Sequence, residues 1–163
     1  MLATAVSAYI ALGSNLGDRH AHLAAARQAL AALSGIHLLN VSPIYETAPL
    51  GPAGQQDYLN AVACVATTLA PHALLDALLL IEQSRGRIRR ERWGPRTLDL
   101  DLLLHGETNI QDAHLTLPHP AMLERAFVLT PLHDLAPGLV LSGRTVAQHL
   151  SLLDRSGVRP AAF

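Results

Sequence analysis

Lysine is absent from this chain, cysteine occurs once, and aromatic residues are scarce. The net charge is −1 with histidines neutral, and only 4% of the residues are aromatic. Proteins that bind nucleic acid need a basic surface or stacking platforms, so we expect no nucleic-acid partner. The single cysteine, Cys64, excludes an intramolecular disulfide, and the apolar run around it predicts a buried small side chain.

Long apolar runs are missing as well. The richest one, Leu74 to Ile81, is interrupted by Asp76 and is too short to span a bilayer. The N-terminus has no basic segment followed by a long apolar core, which a signal peptide would need. We therefore expect a cytoplasmic protein that binds no membrane, and nothing in the sequence demands more than a monomer.

The length and composition fit one domain. Half of the 163 residues are hydrophobic, which is enough for a substantial core. We find no internal repeat and no linker, so we expect a single domain over residues 1–163. The tail from about Asp154 is polar and rich in small residues, and we expect it to fray.

Hydrophobic periodicity predicts strands and helices in a definite order. Strands are predicted at Val6–Leu12, Ile36–Tyr45, Tyr58–Thr67 and Leu98–Leu104, and Glu107–Ile110 is compatible with a short fifth. Helices are predicted from the cap Asp18 to about Leu33, from Pro71 to near Gly86, at Glu124–Leu135 and at Val146–Leu153. The order matches the β-α-β-β-α-β pattern of ferredoxin-like sheets, so we expect an α+β sandwich with extra C-terminal helices and short strands. Two helices would cover one sheet face and leave the other for a site.

A pair of aspartates at the start of the fourth predicted strand is the main chemical signal. Because side chains alternate along a strand, Asp99 and Asp101 project to one face, while Leu98, Leu100 and Leu102 project to the other. Two carboxylates on one face repel each other, and a divalent cation would offset that repulsion. Mg²⁺ commonly binds one or two carboxylates together with substrate phosphates. The alternative is a solvated strand face with arginines as ion-pair partners.

Arginines cluster just before this pair. Half of the basic residues lie there: Arg85, Arg87, Arg89, Arg90, Arg92 and Arg96. Guanidinium groups bind phosphate through paired hydrogen bonds, although a chain without lysine would supply arginine in any case. Trp93, the only tryptophan, lies among these charges, where it could stack on a flat ligand or close over one. Arginines and carboxylates together predict a metal–polyphosphate site, and a solvated charge run is the alternative.

Four further features are less specific. For the segment Gly13–Gly17 we favour a plain turn over a phosphate-binding turn, because it fits neither glycine-rich phosphate motif. Glu82 beside an apolar stripe is compatible either with a side chain at the core edge or with a paired carboxylate in a site. His119 has no second histidine at ligand spacing, which argues against zinc. Asn60 could read the edge of a heterocycle through its amide.

Five segments, in order along the chain, closely resemble the 6-hydroxymethyl-7,8-dihydropterin pyrophosphokinase family. They are Tyr9–Gly17, Tyr45–Gly51, Asp57–Asn60, Arg92–Asp101 and Leu117–Pro120. The resemblance implies a ferredoxin-like fold and a Mg²⁺-dependent transfer of pyrophosphate from ATP to the hydroxymethyl group of 6-hydroxymethyl-7,8-dihydropterin, a step of folate biosynthesis that releases AMP. A non-catalytic ligand-binding or RNA-binding domain of the same topology is the alternative.

The resemblance also implies a set of site residues. Asp99 and Asp101 would hold two Mg²⁺ ions, and the residues with catalytic roles would be these two together with Arg87, Arg89, Arg92, Trp93 and Arg96. The residues implied to bind ATP are Glu82, Arg87, Arg89, Arg92, Trp93, Arg96, Leu102, Thr116, His119 and Arg125. Those implied to bind the pterin are Thr47, Ala48, Leu50, Tyr58, Asn60, Trp93, Asp99 and Phe127. Leu79, His114 and Ala48 depart from residues found in some relatives, which puts individual contacts in question.

Overall fold

The computed structural model describes residues 4–48, 54–86 and 97–161. Its strands are β1 (Val6–Ser14), β2 (Ile36–Val41), β3 (Tyr45–Thr47), β4 (Tyr58–Thr67), β5 (Asp99–His105), β6 (Ile110–Gln111), β7 (Thr116–Leu117), β8 (Val140–Leu141), β9 (Arg144–Thr145) and β10 (Arg159–Pro160). Its helices are α1 (Arg19–Ala32), α2 (Pro71–Ser84), α3 (Ala126–Leu135) and α4 (Val146–Ser151), with a 3₁₀ turn at Met122–Glu124. Leu16, Leu39, Leu80, Val140 and Leu152 are large apolar side chains that stay exposed.

The main sheet is antiparallel throughout. Its strand order is β10-β3-β4-β1-β5, and β2 pairs with β4 as well. The short strands β6 and β7 form one separate hairpin, and β8 and β9 form another. The fold is therefore a mixed α/β arrangement around a central antiparallel sheet.

Helices cover the two faces of this sheet unequally. The apolar sides of α1 and α2 pack on one face, where Ile10, Leu30, Leu74 and Leu78 are fully buried. On the other face α3 and α4 form a second cluster that includes Leu103, Leu129 and Leu150. Burying a leucine side chain of this kind contributes about 1.5–3 kcal/mol. The first residues of α3 also border an open part of this second face, which is described below.

Local signals set several boundaries as predicted. Asp18 caps α1, since its side chain accepts a hydrogen bond of 3.0 Å from the Ala21 N–H. Pro71 is the first residue of α2, where its missing N–H has no cost. The strand predicted at Tyr58–Thr67 has those limits in the structure. The helices predicted at Glu124–Leu135 and Val146–Leu153 are shorter, and the strand proposed at Glu107–Ile110 is instead Ile110–Gln111.

The strand predicted at Ile36–Tyr45 is two strands. Both pair with β4, but the ladder is interrupted at Pro43, which has no N–H to contribute. At the break, the Ser42 N–H donates to the Val62 carbonyl, and the Val62 N–H donates to the Ser42 hydroxyl, each at 2.9 Å. The hydroxyl of Ser42 thus gives the Val62 N–H an acceptor at the point where the backbone ladder is interrupted.

The expectation that the tail frays does not hold for residues 159–161. Arg159 and Pro160 form β10, which pairs with β3, and the Ala161 N–H donates to the Ile44 carbonyl at 3.0 Å. Ala161 is itself buried. The edge of β3 would otherwise leave backbone groups unpaired, so it offers the tail a partner. Within the described part of the chain, no helix is long and apolar enough to cross a membrane.

Candidate functional site

A cavity of about 330 Å³ lies on the sheet face opposite α1 and α2. It is formed by β1, β3, β4 and β5 together with the segment that leads into α3. Its lining residues are Ala11, Leu12, Gly13, Thr47, Ala48, Tyr58, Asn60, Ala61, Asp99, Asp101, His119, Arg125, Phe127 and Val128. A cavity of this size can hold a small organic molecule.

Strand register explains why the two carboxylates face open space. In the antiparallel pairing of β1 with β5, Ala11 lies opposite Asp101 and Gly13 lies opposite Asp99. Both partners are small, so they leave room above the sheet beside the carboxylates. On its other side Gly13 pairs with Asn60 of β4. Asn60, Gly13 and Asp99 therefore form one row across three adjacent strands.

The backbone between the two aspartates is held from the opposite face. Glu82 of α2 is only 2% exposed, and its Oε2 accepts a hydrogen bond of 2.7 Å from the Leu100 N–H. A buried carboxylate is costly unless hydrogen bonds compensate for its lost hydration. Glu82 is therefore buried and paired with a backbone N–H, but the structure does not place it in the cavity lining. Its pairing within a site and its predicted contact with the nucleotide stay predictions.

His119 presents a neutral imidazole to the cavity. Burial lowers its pKa, the Arg125 guanidinium lowers it further, and Asp99 opposes the shift. Nδ1 accepts a hydrogen bond of 3.2 Å from the Ala121 N–H, while the His119 backbone N–H donates to the Leu103 carbonyl at 2.9 Å. A neutral ring whose Nδ1 is an acceptor carries its proton on Nε2. His119 is therefore set up as a hydrogen-bond donor.

Arg125 and Phe127 contribute a cation and an aromatic ring at the start of α3. The guanidinium carbon of Arg125 lies 5.7 Å from the centre of the Phe127 ring, which is within the range of a cation–π contact. Both residues line the cavity. The contact orients a positive group and a flat apolar surface toward the same space.

An amide and a hydroxyl face the cavity from β3 and β4. Asn60 Nδ2 donates to Thr47 Oγ1 at 2.9 Å, and both side chains are buried. With this bond made by the amide nitrogen, the Oδ1 of Asn60 lies on the side of Gly13. The carbonyl oxygen is then placed as an acceptor for N–H groups of a bound molecule.

The structure brings together most of the predicted site residues that it describes. Thr47, Ala48, Tyr58, Asn60, Asp99, Asp101, His119, Arg125 and Phe127 all line the cavity. Leu102 is in the core and Thr116 is in β7, and neither lines it. Leu50, Arg87, Arg89, Arg92, Trp93 and Arg96 lie outside the described residues.

Sequence reasoning missed Ala11 and Gly13 as parts of the site. Neither residue carries a functional group, and each matters only because it is small opposite a carboxylate. The segment Gly13–Gly17 predicts a turn, but its sequence does not give the register of β1 against β4 and β5.

The half-buried Cys64 is also less enclosed than predicted.

The carboxylates of Asp99 and Asp101 fit a divalent cation whose other ligands would be phosphate oxygens and water. Among the described residues no group of three or more histidine, cysteine, aspartate or glutamate side chains could hold a metal ion. Asp99 and Asp101 nevertheless line the cavity from the same strand face. Mg²⁺ characteristically takes one or two carboxylates, substrate phosphate oxygens and water, so two protein ligands are enough.

Carboxylates beside a cation and an N–H donor are typical of phosphoryl-transfer enzymes, and the amide–hydroxyl pair is suited to a flat heterocycle. Fold and site thus define the class as an α/β phosphotransferase with an organic acceptor. The comparisons with known proteins specify it further. The chain belongs to the 7,8-dihydro-6-hydroxymethylpterin-pyrophosphokinase family, whose model matches residues 9–137. The family predicted from the sequence segments is therefore confirmed.

Two relatives match along nearly their whole length. The 2-amino-4-hydroxy-6-hydroxymethyldihydropteridine pyrophosphokinase of Methylorubrum extorquens is 47% identical over 151 residues, which covers 93% of this chain and 96% of that protein. The protein of the same name in Pseudomonas aeruginosa is 49% identical over 151 residues, covering 92% and 93%. A solved structure of Plasmodium falciparum HPPK-DHPS aligns with a TM-score of 0.70 over 93% of this chain and 45% of that chain, at 13% identity. At such low identity this likeness supports the fold alone.

Proposed function

We propose that this chain transfers pyrophosphate from ATP to the hydroxymethyl group of 6-hydroxymethyl-7,8-dihydropterin, a step of folate biosynthesis. Its membership of the pyrophosphokinase family and the names of its relatives support the reaction. The observation that carries the proposal is the row Asn60–Gly13–Asp99. This row places the Asn60 amide, which can hydrogen-bond a heterocycle, and the Asp99 carboxylate, which we assign to the phosphate end, on the floor of one cavity.

The pterin is assigned to the end of the cavity near β3 and β4. There the Oδ1 of Asn60 can accept from ring N–H groups, and Thr47 holds the amide in that orientation. Tyr58 and Phe127 offer aromatic surface on which a flat ring can stack. Ala48 lines the same end, and Leu50 and Trp93, which lie outside the described residues, are proposed to complete it.

The triphosphate is assigned to the end near β5. Asp99 and Asp101 would hold Mg²⁺, and two ions remain our proposal from the family resemblance. When bound, Mg²⁺ would neutralise negative charge on the phosphates and make the phosphorus easier to attack. His119 Nε2–H and the Arg125 guanidinium can donate hydrogen bonds to phosphate oxygens. Glu82, Leu102 and Thr116 are proposed on the nucleotide side, and so are Arg87, Arg89, Arg92 and Arg96.

The reaction asks mainly for positioning. The pterin hydroxyl oxygen attacks the β-phosphorus, the new O–P bond forms, and the bond from the β-phosphorus to the oxygen bridging it to the α-phosphorus breaks, which releases AMP. The hydroxyl proton is lost to solvent in the net reaction. Fixed donors and carboxylates at one end, and a fixed heterocycle at the other, hold the reacting atoms in line and lower the entropic part of the barrier.

The sheet order supports the finer topological proposal. If β2 and β3 are taken as one strand interrupted at Pro43, the chain runs β-α-β-β-α-β from β1 to β5. We infer that this core is ferredoxin-like, with β10 added at one edge.

Product analysis tests the function. With MgATP and 6-hydroxymethyl-7,8-dihydropterin, we expect AMP and the pterin diphosphate in equal amounts, separated by anion-exchange chromatography. ADP as the nucleotide product would refute pyrophosphate transfer. Omitting the pterin is the control, and it should leave ATP intact.

A further inference from the structure

Two arginines from distant parts of the chain bridge the same pair of acidic residues. Arg19 begins α1, and its Nη1 donates to Glu46 Oε1 at 3.0 Å and to the Asp57 carbonyl at 2.8 Å. Arg159 lies in β10, pairs with the Asp57 carboxylate and lies 4.0 Å from Glu46 Oε2. Each arginine therefore connects Glu46 with Asp57.

Glu46 and Asp57 flank the segment that joins β3 to β4. Glu46 immediately precedes Thr47, and Asp57 immediately precedes Tyr58, and these two neighbours pair across the strands. Thr47 and Tyr58 line the cavity, whereas none of the four charged residues does. The charged network thus lies one residue away from the site without being part of it.

The turn after β1 holds the same segment by neutral contacts. Asn15 is 1% exposed, and its Nδ2 donates to Gln55 Oε1 at 2.9 Å and to the Gln56 carbonyl at 3.3 Å. The residues that follow β1 therefore hold the segment that ends at Asp57. Charged and neutral contacts converge on residues 55–57.

We propose that Arg19 and Arg159 are positioning residues that fix the Thr47–Tyr58–Asn60 end of the cavity for the pterin. The inference rests on the proposed assignment of the pterin to that end. Ion pairs at a protein surface contribute little to global stability, and the side chain of Arg159 is 52% exposed while that of Arg19 is 22% exposed. Their effect is local: a binding surface that is ordered beforehand avoids the entropic cost of ordering on binding. Losing the bridges should therefore weaken pterin binding selectively.

The test uses the full chain with Arg19→Met, Arg159→Met and the double variant. In the double variant we expect the KM for the pterin to rise about tenfold, equivalent to about 1.4 kcal/mol, with the KM for MgATP and the melting temperature little changed. Arg159→Lys keeps a charge near Asp57 and should recover most of the pterin affinity. Arg144→Met and Arg27→Met are matched controls, since both arginines are exposed and lie outside the network of Arg19, Arg159, Glu46 and Asp57.

The outcomes separate the alternatives. A pterin KM equal to that of the controls in both single variants and the double variant would overturn the positioning role. Equal increases for both substrates, accompanied by a lower melting temperature, would indicate a merely structural role and would overturn it as well. Asn60→Ala tests the underlying assignment independently, because an unchanged pterin KM there would mean that the proposed pterin end itself is wrong.

Discussion

Replacing Gly13 by alanine should impair pterin binding without harming the fold. Gly13 lies between Asn60 and Asp99 on the cavity floor. An added Cβ would lie 3.5 Å from Asn60 Oδ1, 3.6 Å from the Leu59 carbonyl oxygen and 3.8 Å from Tyr58 Cδ1. These are ordinary van der Waals distances, so the folded chain has room for the methyl group.

The substitution should leave the stability of the fold unchanged or raise it, and it should lower the affinity for the pterin. The Gly13 backbone lies outside the left-handed region, so alanine should leave the free energy of unfolding unchanged or raise it by about 0.4–1 kcal/mol. The methyl would, however, occupy space against Asn60 and Tyr58 that the pterin needs. Overpacking costs about 1–3 kcal/mol, which corresponds to a Kd for the pterin that is roughly 5- to 160-fold higher.

Calorimetry and thermal unfolding together check this prediction. Pterin binding would be titrated in the presence of Mg²⁺ and a non-hydrolysable ATP analogue, and unfolding would be followed by circular dichroism. Gly138→Ala is the matched control, because Gly138 is exposed and a Cβ there meets nothing within 4 Å. Wild-type pterin affinity in Gly13→Ala would refute the proposal that the pterin binds over Gly13. A markedly lower melting temperature would refute the conclusion that the folded chain has room for the methyl group.

Three further predictions concern the carboxylates and the cysteine. Asp99→Asn or Asp101→Asn should abolish turnover and affect the Kd for the pterin much less, because the two native carboxylates would hold Mg²⁺. A wild-type kcat in either variant would exclude that role. Glu82→Ala leaves the Leu100 N–H without its acceptor at 2.7 Å, so urea denaturation should show a loss of about 1–3 kcal/mol, and an unchanged midpoint would contradict it. Burial raises the pKa of Cys64 above 9.0, so its thiolate is scarce at pH 8, and alkylation should be slow in the native chain and fast in urea; equal rates would disprove this.

The parts of the fold that follow from local chemistry were predictable. Asp18 accepts from the Ala21 N–H because a cap acts within one helical turn. Pro71 fixes a helix start through its own ring geometry. The common face of Asp99 and Asp101 follows from the alternation of side chains along one strand. Each of these inferences needs only residues within a few positions of one another.

The parts that depend on register or on distant partners were not predictable. Arg159 pairs with Asp57 across 102 residues of sequence, and no periodicity links a strand edge to a tail so far along the chain. The hydrogen bond from the Val62 N–H to the Ser42 hydroxyl, at the break between β2 and β3, likewise joins residues that are distant in sequence. Glu82 had two open interpretations because its hydrogen-bond partner, the Leu100 N–H, lies on another element.

In the proposed assignment, the sheet gives one small cavity two chemically different ends. Asn60 and Asp99 lie on strands separated by β1, and adjacent strands are about 4.8 Å apart, so the backbones of the two residues lie about 10 Å apart across the sheet. A two-ring heterocycle with a one-carbon arm can extend between them, with its edge at Asn60 and its hydroxyl near Asp99. A side chain on the middle strand at this position would take up space that such a molecule needs. Gly13 leaves that space open, so in this proposal a residue without any functional group helps one molecule to reach both Asn60 and Asp99.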